Sequence, residues 1–187
     1  TRTDLRNLHA AVEAGCVNTD ISPTTCRFGP TQAATPVNGT VLMLGDSQAY
    51  ALADGVIDAA NALGYDVIVS SRTGHDIPCR SWQKSALEYA LTNKPSAVVI
   101  ANRSAGYVHP DWGWRTAATD GGRAASSVKE AARLWAKGIS AVVEPLGQAG
   151  IPVVIIGAVA EMPEFSDQRS LFSQTFGAKA YEVPLTK

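Results

Sequence analysis

The sequence predicts an α/β protein built on an open, doubly wound parallel sheet with helices on both faces, a three-layer α/β/α arrangement. Three observations carry this reading: four short, continuous apolar runs, segments of helical periodicity between them, and a length of 187 residues, too short for a closed eight-stranded barrel. With 45% hydrophobic residues, the chain has the apolar material for one sizeable core and not for two.

The apolar runs cover residues 41–44, 67–69, 97–101 and 153–156. They are rich in Val, Ile and Leu and do not alternate with polar residues, which suits strands buried on both faces. Residues 49–63 carry Leu52, Val56, Ile57, Ala60 and Leu63 at helical spacing and stop at Gly64, a natural helix end. A second helix is expected over 82–91, ending near Pro95. A third, over 127–146, sets Val128, Leu134, Trp135, Ile139, Val142 and Val143 on one broad face. Residues 1–14 read as a short helix, 107–122 as a long loop, and 161–187 as irregular chain with one or two helical turns. The expected division is an N-terminal helix and cysteine loop over 1–36, packed on the core, followed by the main domain over 37–187.

The formal charge is -1, from 16 Lys plus Arg against 17 Asp plus Glu, and neither sign forms a long block. That argues against nucleic acid or an anionic membrane surface as the main partner. No apolar run approaches the roughly 20 residues that cross a bilayer, and residues 1–14 lack the apolar centre of a signal peptide. The piece is expected to be soluble as given, as a domain cut from a secreted or membrane-tethered chain would also be. Cys16 and Cys26 lie ten apart in a stretch rich in Thr, Ser, Pro and Asn, which fits a small disulfide loop outside the regular core and an oxidising compartment. The alternative is two free thiols in a cytosolic protein. Cys79 is left over, either unpaired or with a partner outside this chain. The three histidines and three cysteines show no ligand spacing, so neither a metal nor a cofactor is expected.

In open α/β sheets, reactive groups gather where strands end and helices begin. The first such exit is Gly45-Asp46-Ser47-Gln48. Glycine permits a tight turn out of the strand, and the serine hydroxyl arrives at a helix start whose free N–H groups can stabilise a developing anion. Taken alone, Ser47 reads equally as a nucleophile or as a helix cap. The second exit contains Gly74, His75 and Asp76, and the third contains Asn102, Arg103 and Ser104. Asn38-Gly39-Thr40 and Asn102-Arg103-Ser104 also match the glycosylation sequon, a weak pattern. In the 107–122 loop, Trp112 and Trp114 stand near His109, Gly and Asp. Exposed tryptophans there can stack on sugars or line an acyl groove; the alternative is that both fold back onto a helix.

The strand, Gly45-Asp46-Ser47, small residue and amphipathic helix together resemble the first sequence block of the SGNH, or GDSL, hydrolases. The resemblance is closer to the SGNH domains fused to membrane acyltransferases of the acyltransferase-3 type, through Cys26-Arg27-Phe28-Gly29, Thr73-Gly74 with Pro78-Cys79, and Glu161-Met162-Pro163. Gln48 departs from the histidine usual after the serine. The resemblance implies an SGNH-hydrolase, flavodoxin-like fold. It also implies a catalytic Ser47 and an oxyanion hole formed by the Ser47 and Gly74 N–H groups. Asn102 is the asparagine nearest to the family's third oxyanion donor, whose Gly-x-Asn-Asp motif is missing, and an arginine such as Arg103 is common at this point.

A serine needs a base to take its proton, and the family's Asp-x-x-His motif is missing here. His9, His75 and His109 are the histidines, and His109 precedes Asp111 in the wrong order for that motif. Three explanations remain open: a longer chain that would also supply a last strand and a partner for Cys79, a rearranged dyad through His75 or His109, or a catalytically silent binding module. The function expected is an extracytoplasmic serine O-acyltransferase or esterase domain. It would act on a cell-envelope glycan or glycolipid acceptor and be tethered through a membrane acyltransferase domain in the same chain. The alternative is an inactive carbohydrate-binding or scaffolding module contacting sugar through Trp112 and Trp114.

Overall fold

The computed structural model describes residues 9–18, 20–21, 24–30, 37–72, 80–104, 108 and 125–157. In chain order its elements are α1 (Ala10–Glu13), β1 (Arg27–Phe28), β2 (Gly39–Gly45), α2 (Ser47–Ala62), β3 (Tyr65–Ser71), α3 (Arg80–Asn93), β4 (Ala97–Ala101), α4 (Val128–Gln148) and β5 (Val153–Ile156); α4 here is the 21-residue helix. The sheet order is β1-β3-β2-β4-β5. The four apolar strands run parallel, with Val41 beside Val67 and Ala97, and Val98 beside Val153.

Because strand side chains alternate between faces, each apolar run feeds two cores. On one face Leu42, Leu44, Ile68, Val98 and Ile100 pack with Ala86 and Ala90 of α3 and with Ile139, Val142 and Leu146 of α4. On the other, Met43, Val67, Val69, Val99 and Ala101 meet Ala49, Ala53, Ile57 and Ala60 of α2 and Ala11 of α1. This is the three-layer α/β/α fold expected, with helices on both faces of the sheet.

The sheet is parallel, as the sequence predicts, except at one edge, where β1 pairs antiparallel with β3, Arg27 opposite Ile68 and Phe28 opposite Val67. Just before it, the Val69 N–H donates to the Cys26 carbonyl, and the Arg27 guanidinium meets the Asp66 carboxylate at 2.5 Å. Val17 forms a parallel bridge to Ser71. A disulfide joins Cys16 to Cys26, with 5.5 Å between their Cα atoms. The loop was expected outside the regular core. Instead both cysteines are buried with α1 and α2, because the chain around them covers the outer edge of β3.

Helix ends account for two further corrections. Leu63, expected among the apolar residues at helical spacing, is the C-cap and is exposed, since the helix ends at Ala62, one residue before it. Val128, expected on one broad face with the other apolar residues of the long helix, is its first residue and is exposed too. There the Ser127 hydroxyl accepts the Glu130 N–H while the Glu130 carboxylate accepts the Ser126 N–H. This capping arrangement fixes the helix start by polar contacts rather than by burial.

Candidate functional site

Strand order places the site. The chain leaves β2 for β3 on one side and returns to β4 on the other, so the carboxyl end of β2 is the switch point where open α/β sheets form a crevice. Ser47, the first residue of α2, stands there half-buried. Gly45 allows the close approach: a Cβ on it would run into the Ala101 carbonyl oxygen and come within 2.8 Å of the Ala49 Cβ.

Polar contacts hold this crevice. Asp46, only 1% exposed, is the N-cap of α2; its Oδ1 accepts the Gln48 N–H at 2.8 Å and its Oδ2 accepts the Arg103 N–H at 2.9 Å. On the opposite side the Arg72 N–H donates to the Gly45 carbonyl at 3.0 Å. The exits of β3, β2 and β4 are thus joined at one level. Gln48, the departure from the family's usual histidine, sends its side-chain amide to the Gly157 carbonyl just past β5 at 3.2 Å. The Arg72 guanidinium turns to Asp20 of the disulfide loop at 2.9 Å.

Asn102 immediately follows β4, beside this turn, and is 3% exposed, yet among the described residues neither its Oδ1 nor its Nδ2 has a hydrogen-bond partner. Burying an unpaired amide costs about 1–3 kcal/mol, and the hydroxyls of Ser70 and Ser71 at the end of β3 are likewise buried without a partner among the described residues. As the first residue of a helix, Ser47 carries one of the N–H groups left without an intrahelical acceptor. A serine hydroxyl, a helix N-terminus and an unengaged amide donor together can form an acyl-enzyme and stabilise the oxyanion on the way to it.

The structure brings Ser47, Asn102 and Arg103 to the same end of adjacent strands. Gly74, Trp112, Trp114, His75, His109 and Cys79 lie outside the described residues. The burial of Asn102 leaves its sequon inaccessible, and the amide nitrogen of Asn38 donates to the Leu63 carbonyl. A further pair had no signal in the sequence, its members being 45 residues apart: His9 Nδ1 lies 2.9 Å from Asp54 Oδ2. Asp54 follows Ser47 by seven residues on α2, about 10 Å along the helix, so this carboxylate-oriented histidine braces α1 on α2 away from the serine. Among the described residues, no three His, Cys, Asp or Glu side chains gather as a metal site.

The family model for the SGNH domain (fused to AT3 domains) matches residues 14–186. The chain belongs to this family. The SGNH domain therefore carries a hydrolase- or acyltransferase-like fold, in a family described by its fusion to AT3 domains. No curated protein and no solved structure gives a significant match. Among the described residues of this SGNH domain, no helix is long and apolar enough to cross a membrane.

Proposed function

We propose that this SGNH domain is a serine O-acyltransferase or esterase module that acts on a cell-envelope glycan or glycolipid. The observation that carries the reading is the pairing of Ser47, at the first turn of α2, with the buried and unpartnered Asn102 amide beside it. The Ser47 Oγ attacks the acyl carbonyl of the donor while a base takes its proton. The carbonyl oxygen, now anionic, is held by the Ser47 N–H, the Gly74 N–H and the Asn102 amide. Collapse of this intermediate expels the donor alcohol or thiol, which takes up the proton. A sugar hydroxyl or water then attacks the acyl-Ser47 ester, and the serine recovers its proton as the product leaves. The family's association with AT3 domains supports a membrane acyltransferase domain as the source of the acyl group and an extracytoplasmic setting, with Arg103, Trp112 and Trp114 on the acceptor side.

The Asp-x-x-His motif missing from this sequence favours one alternative, a domain that keeps the fold and binds carbohydrate without chemistry. Fluorophosphonate labelling and p-nitrophenyl acetate turnover decide between them, measured on this chain and on the full-length protein, each beside Ser47→Ala. The enzyme reading expects labelling and turnover in the full-length protein that Ser47→Ala reduces by at least about 10³-fold. Absence of any Ser47-dependent signal there would leave the binding module.

A further inference from the structure

We propose that Asp46 is a positioning residue whose carboxylate couples the first turn of α2 to the exit of β4 and so fixes Asn102 relative to Ser47. The inference rests on the Ser47 reading above. A helix cap needs one acceptor oxygen, and Asp46 Oδ1 provides it to the Gln48 N–H. The second oxygen faces away from the helix and accepts the Arg103 N–H, 57 residues along the chain. This bond adds nothing to capping; it joins two strand exits.

Its target is the peptide plane that follows Asn102. The rigid unit between Asn102 and Arg103 is held at both ends, its N–H by Asp46 and its carbonyl by the Ser104 N–H at 2.7 Å. Among the described residues the Asn102 side chain makes no hydrogen bond of its own, so its direction depends on the backbone that carries it and on its packing. One buried carboxylate therefore sets both the helix start that presents Ser47 and the strand exit that presents Asn102.

Asp46→Asn separates the two tasks. Asparagine keeps an oxygen for the Gln48 N–H and is itself a good cap, but it turns an NH2 donor toward the Arg103 N–H. Asp46→Ser also caps and is too short to reach β4. In NMR spectra of the full-length protein, both variants should speed exchange of the Arg103 amide by about tenfold or more and shift the Asn102 side-chain NH2 signals, leaving the Gln48 amide protected. Turnover of p-nitrophenyl acetate should fall by about 100-fold in kcat, the scale of a misplaced reacting group, with KM within about twofold. Unchanged Asn102 signals, or a rate loss that only follows the unfolded fraction, would overturn the proposal. If wild type shows no Ser47-dependent turnover, the catalytic reading fails, and the NMR comparison alone decides whether Asp46 positions Asn102.

Discussion

Asp46 and Asn102 stand at the exits of neighbouring strands, 1% and 3% exposed, and the fold treats their polar atoms in opposite ways. Asp46 has both carboxylate oxygens engaged by backbone N–H groups; among the described residues Asn102 has neither amide atom engaged. Buried polar atoms in folded proteins are almost always paired, so Asp46 follows the rule and Asn102 departs from it. On the proposed function, the contrast is between a residue that holds the site in place and one that acts in it, both at one end of one crevice.

Substitutions can break that contrast in graded steps. Asp46→Ala strips the acceptor from two backbone N–H groups, and at about 1–3 kcal/mol for each buried donor left unpaired it should destabilise the domain by roughly 2–6 kcal/mol in urea or guanidinium unfolding. Asn102→Ala should change stability by less than about 1 kcal/mol, because relief of the buried unpaired amide offsets the void its loss leaves, yet lower turnover by about 10²–10³-fold as loss of an oxyanion donor does. A large stability loss in Asn102→Ala would mean that its amide is structural after all. Gln48→Ala should have the smallest effect, on the order of 0.5–1 kcal/mol for one partly exposed hydrogen bond. Thermal melts and turnover measured side by side would show whether its tie to the Gly157 carbonyl belongs with Asp46 or with Asn102.

How much of this was legible in the sequence depended on how local the cause was. The runs at 97–101 and 153–156 coincide with β4 and β5 because both strands are apolar along their whole length. β2 and β3 extend beyond their apolar centres through Gly39, Thr40, Tyr65, Asp66, Ser70 and Ser71. Those residues are strand because neighbouring strands bond to them, and hydrophobicity gives no sign of it. β1 could not be read at all: two residues carry no period, and their pairing with β3 spans about forty positions of chain. The Gly45-Asp46-Ser47 turn was legible as a strand exit entering a helix. What was not legible is which of its neighbours it holds, since Arg103, Gly157 and, further along α2, His9 arrive from distant parts of the chain.

The cover over β3 also bears on how the domain behaves among other molecules. The outer edge of that strand is occupied by residues from both ends of the disulfide loop: Cys26, Arg27 and Phe28 along its length, Val17 and Asn18 at its tip. An uncovered parallel-sheet edge is a row of unpaired N–H and C=O groups to which a strand of another chain can add. A version of this domain shortened to begin at β2 would retain every residue of the Ser47 crevice on β2, α2 and β4 and expose such an edge. Its first failure would then be self-association through that edge.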